Sequence, residues 1–79
     1  MAISRDDLKT HVTTVLTKSD KPMMAKEIAA RLREELADKG AEPGWPKRKD
    51  VNSVLYELQG QSKVAKLEGY KWQLVGGGA

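Results

Sequence analysis

The segment that decides the fold is residues 45–75, WPKRKDVNSVLYELQGQSKVAKLEGYKWQLV. Its first half has helical spacing: Val51, Val54, Leu55 and Leu58 share one face at about 100° per residue. Pro46, with its fixed φ, suits the first helical position, and Gly60 the stop, so a third helix is expected from Pro46 to about Gln59. Lys49, Asn52, Ser53 and Tyr56 then project away from the apolar face, with Arg48 on the flank. The second half alternates instead. Val64 lies between lysines, and Trp72 and Leu74 alternate with Lys71 and Gln73. This predicts two strands, Ser62 to Lys66 and Lys71 to Val75, joined through Leu67-Glu68-Gly69-Tyr70.

Working outward, two more helices precede this segment. One is expected from about Arg5 to Lys18, with Ser4 and Asp7 as a capping box and Leu8, Val12, Val15 and Leu16 on one face. Ser19-Asp20-Lys21-Pro22 breaks the chain. The other is expected from about Ala25 to Ala37, striped by Ile28, Ala29, Leu32 and Leu36 and closed by Lys39-Gly40 with Gly in a left-handed cap. Met23 and Met24 read as core fillers, Trp45 as a packing anchor, and Pro22 to Met24 as a candidate third strand. The expectation is one α+β domain over residues 1–75: a small winged helix-turn-helix of three helices and a two- or three-stranded β wing. Residues 76–79 read as a flexible Gly-rich tail.

Composition narrows the chemistry. The chain has 79 residues, room for one small core. It has no cysteine, which excludes disulfides and thiolate metal sites. No apolar run approaches the roughly 18 residues of a membrane span, so no membrane role and a cytoplasmic location are expected, nucleoid-associated if bacterial. Met1-Ala2 favours a natural N-terminus. His11, the one histidine, has no partner motif, and no phosphate-cradling glycine pattern precedes a helix; no catalytic residue, metal or cofactor is expected. Net charge is +3 and unevenly spread. Residues 1–42 hold eight basic and eight acidic side chains, residues 43–79 six and three, so the whole excess lies in the deciding segment. Such a bias attracts polyanions.

The cationic start of the third helix sharpens that inference. Lys47, Arg48 and Lys49 stand where the helix dipole is already positive, an arrangement that a phosphate would relieve. Asn52 can bond a phosphate or a base edge. Tyr56 reads equally as a ligand contact or as a ring against the wing, and Trp72 as core or as an edge-to-face partner of Tyr56. Lys63, Lys66 and Lys71 would reach the neighbouring backbone from the wing.

The run Arg48-Lys49-Asp50-Val51-Asn52-Ser53-Val54-Leu55-Tyr56 followed by Trp72 resembles the signature of Zα domains, winged helices of RNA-editing adenosine deaminases and related sensors. The resemblance covers the second helix through the wing. It implies a surface for left-handed Z-form duplexes: Asn52 on phosphate directly or through water, Tyr56 packed on an exposed guanine, Trp72 as its buttress, Arg48 and Lys49 on the backbone. The chain departs from that pattern at the wing, where Glu68-Gly69-Tyr70 replaces the usual paired prolines. The expected function is duplex binding, DNA ahead of RNA, with a regulatory role and with a homodimer or several copies on the duplex supplying affinity. The rival expectation is a protein-interaction winged helix using Met23, Met24 and Trp45.

Overall fold

A computed structural model describes residues 3–75; the expected Gly-rich tail lies outside the described residues. The order is α1 (Arg5–Lys18), β1 (Met23–Met24), α2 (Ala25–Ala37), α3 (Arg48–Gly60), β2 (Val64–Leu67) and β3 (Lys71–Leu74). The three strands form one antiparallel sheet in the order β1-β3-β2. This is a small α+β domain of three helices and a three-stranded sheet, compatible with a winged helix.

Each helix buries the stripe its spacing foretold. Leu8, Val12, Val15 and Leu16 from α1 meet Ile28, Ala29, Leu32 and Leu36 from α2 and Val51, Val54, Leu55 and Leu58 from α3. The sheet closes this core with Val64 and Trp72, while Met23, Trp45 and Leu74 pack against its rim, partly buried. At about 25 cal/mol per Å² of apolar area removed from water, this burial is the main favourable term of folding.

The ends of α3 differ from expectation. Pro46 is not its first residue: the helix begins at Arg48 with Lys47 as N-cap. Asp50 sets that boundary, because its carboxylate accepts from the Lys47 backbone N–H at 3.0 Å and fixes the first turn. Pro46 is instead buried two residues upstream, its carbonyl taking a 3.0 Å bond from Arg33. At the other end Gly60 is still helical, and Ser62 makes the left-handed reversal at φ 61°. Ser62 N–H bonds the Gln59 carbonyl at 2.9 Å and Lys63 N–H bonds that of Leu58 at 2.9 Å, the paired bonds of a Schellman closure. The first wing strand therefore starts at Val64 rather than Ser62. At the end of α2, Gly40 does take the left-handed turn, at φ 85°.

Candidate nucleic-acid interface

Three α3 residues four apart, Arg48, Asn52 and Tyr56, fall along one edge of the helix. The sheet faces this edge. Strand alternation puts Val64, Lys66, Trp72 and Leu74 on its inner side, with Lys66 opposite Trp72 and Val64 opposite Leu74. Trp72 is 1% exposed and forms the floor. Tyr56 stands on it edge-to-face, with ring centroids 5.3 Å apart and planes at 88°, and remains 51% exposed. Such a contact adds about 0.5–1.5 kcal/mol beyond burial and holds the phenol ring in one orientation.

Lys66 completes this corner. Its Nζ donates to the Tyr56 hydroxyl at 3.0 Å and lies 5.3, 5.0 and 5.9 Å from the ring centroids of Tyr56, Tyr70 and Trp72. Between α3, the wing and the start of α2 a hollow of about 320 Å³ opens, lined by Arg48, Asn52, Tyr56, Lys66, Tyr70 and Trp72 with Met24, Ala25 and Lys26 behind. Apolar and aromatic walls with a few convergent polar groups are the usual make-up of a ligand site.

Half of the ten expected residues thus converge: Arg48, Asn52, Tyr56, Lys66 and Trp72. Lys47 and Lys49 are exposed beside Arg48 at the helix start but do not line the hollow. The Lys47 side chain has no oxygen with which to accept from the first-turn N–H groups, and among the described residues no carboxylate lies in ion-pair range of Lys47, Arg48 or Lys49.

The remaining three sit elsewhere. Ser53 is tied to α1, its hydroxyl and carbonyl accepting from Arg5 at 3.0 and 3.3 Å. Lys63 borders α1 near Asp6, Lys9 and Thr10, because the Schellman turn throws it to that side. Lys71 pairs with Leu67 and Met24 on the outer face of the sheet, the side opposite Trp72. Their separation follows from strand alternation and from the position of the helix end. Conversely, sequence reasoning missed Lys26 and Tyr70. An exposed aromatic at the wing turn was a readable signal for Tyr70; Lys26 reaches the hollow only through the long-range pairing of β1 with β3.

On the other flank of α3, Glu57 accepts from Arg5 Nε at 3.3 Å and pairs with Lys9 through its other oxygen. The Lys9 ammonium first, and Arg5 after it, lower its pKa below the ordinary 4.5 against the opposing effect of desolvation. No helix among the described residues is long and apolar enough to cross a membrane. Compared with known protein families, with curated proteins and with solved structures, the chain matches none.

Proposed function

We propose that this domain binds duplex nucleic acid, DNA ahead of RNA, through the Arg48–Asn52–Tyr56 edge of α3 and Lys66 of the wing. The carrying observation is the convergence of three cations, an amide and an exposed, braced phenol ring on one hollow beside a cationic helix start. Lys47, Arg48 and Lys49 supply charge for the phosphate backbone, Asn52 a donor and acceptor, and Tyr56 a ring face. The finer reading, a Zα-like surface for Z-form duplexes, is supported by the perpendicular Tyr56–Trp72 pair beside Asn52.

Affinity of a single copy should be modest and salt-sensitive. With four or five phosphate contacts, raising salt from 50 to 200 mM weakens binding by about 10²–10³-fold. Titrating a labelled duplex at both concentrations tests this; absence of binding at the lower one, or a flat response, ends the proposal. A circular-dichroism inversion of alternating CG DNA on adding protein would favour the Z-form reading, and its absence alongside ordinary binding would restrict the domain to B-form. The protein-interaction rival loses ground because Met23 and Trp45 are partly buried against the core rather than displayed.

A further inference from the structure

Two features of the hollow are unaccounted for by contact with a continuous duplex. Tyr70 is 71% exposed, with the Lys66 ammonium 5.0 Å from its ring centroid and the rest of the ring open to a stacking partner. It is also held there by local structure: the Glu68-Gly69-Tyr70 turn puts Gly69 at φ 78° and Tyr70 at φ 60°, a left-handed conformation uncommon for a bulky residue. Lys26, an exposed cation on the first turn of α2, also lines the hollow. The space thus has three aromatic rings gathered round Lys66, further cations at Lys26 and Arg48, and one amide at Asn52. Its volume of about 320 Å³ is at the small end of the roughly 300–1,000 Å³ found for small-ligand sites, room for one nucleotide.

We propose that the hollow takes a single unstacked nucleotide of a bound strand, its base covering the Tyr70 ring and its phosphates meeting Lys26 and Arg48. The Lys66 ammonium, now resting against three rings, would turn to the incoming phosphate, a stronger partner than a π face. Asn52 can bond the base edge with both donor and acceptor. This deepens the duplex-binding reading and rests on it. The preferred substrate is then a duplex with one base out of the stack, such as a bulge, rather than a continuous helix. A base covering an aromatic side chain changes affinity by about 5- to 150-fold.

The test compares the full chain on two labelled duplexes at ~50 mM salt, identical except for a single bulged adenine, with adenosine monophosphate as competitor. The expected result is at least about fivefold tighter binding to the bulged duplex, a ratio that falls to about one in Tyr70→Ala and is kept in Tyr70→Phe. Equal affinity of the wild type for both duplexes overturns the inference while leaving duplex binding intact. Binding to neither removes both. A preference that survives in Tyr70→Ala overturns the role of Tyr70. Full displacement of the bulged duplex by micromolar adenosine monophosphate would mean that the site takes a free nucleotide, which also overturns the inference. The wild-type ratio is decisive even if Tyr70→Ala folds poorly.

Discussion

The two flanks of α3 carry similar polar residues and use them in opposite ways. On the α1 side, Ser53 and Glu57 are occupied by Arg5 and Lys9, so cations and anions from distant parts of the chain satisfy one another. On the wing side, Arg48 and Asn52 open onto a hollow, and Lys66 there has aromatic rings rather than a carboxylate beside it. The first flank fastens a helix to its neighbour. The second is an unfinished electrostatic arrangement held rigid by Trp72. Charge alone does not distinguish the two; the presence or absence of an internal counter-ion does.

The largest effect is expected from removing the support of the open flank. Trp72→Ala deletes a fully buried ring and should destabilise the domain by about 3–5 kcal/mol in urea unfolding, near the whole stability of a domain this size. A loss below about 1 kcal/mol would show that Trp72 does not brace the hollow.

Next comes charge. Arg48→Glu with Lys49→Glu should weaken duplex binding at ~50 mM salt by about 100-fold or more, since two phosphate contacts become repulsive. The matched change on the closed flank, Lys9→Gln, should lower thermal stability slightly and leave affinity nearly unaltered. If both variants lost binding alike, the division between the flanks would be wrong.

A smaller effect belongs to the ring itself. Tyr56→Ala should cost about tenfold in duplex affinity and, through the lost contact with Trp72, about 0.5–1.5 kcal/mol of stability, well below the loss in Trp72→Ala. Unchanged affinity would reduce Tyr56 to a lid over Trp72.

The sequence conveyed the helical stripes and the two longer strands because both depend on local periodicity, and every core position of α1, α2 and α3 except Ala25 was readable that way. The start of α3 was misplaced by two residues because Asp50 capping Lys47 outweighs the preference of proline for a first helical position. Gly60 read as a stop because glycine suits left-handed backbone, yet Ser62 takes that conformation. At the site, Arg48, Asn52 and Tyr56 were legible from their four-residue spacing and Trp72 from strand alternation. Three residues lie outside the hollow, a separation that only long-range information reveals. The partner of Ser53 is Arg5, 48 positions away. Lys63 and Lys71 are directed by the helix closure and by the face of the sheet.

The smallest expected effect is one of pH, on the closed flank. The folded-state pKa of Glu57 is depressed, so the ionised carboxylate contributes stability above its unfolded pKa near 4.5, and this contribution is lost as pH falls through the folded value. Thermal midpoints at pH 6 and pH 3 should therefore differ less in Glu57→Gln than in the wild type. An equal difference in both proteins would indicate that the Lys9–Glu57–Arg5 group contributes no pH-dependent stability.

The most direct measurement of the central claim is chemical-shift mapping of the labelled domain during titration with a short duplex. The account predicts perturbations at the amides of Arg48, Lys49, Asn52 and Tyr56 and at the Trp72 indole, fading as salt is raised. Perturbations centred on Arg5, Lys9 and Glu57, or none, would contradict it.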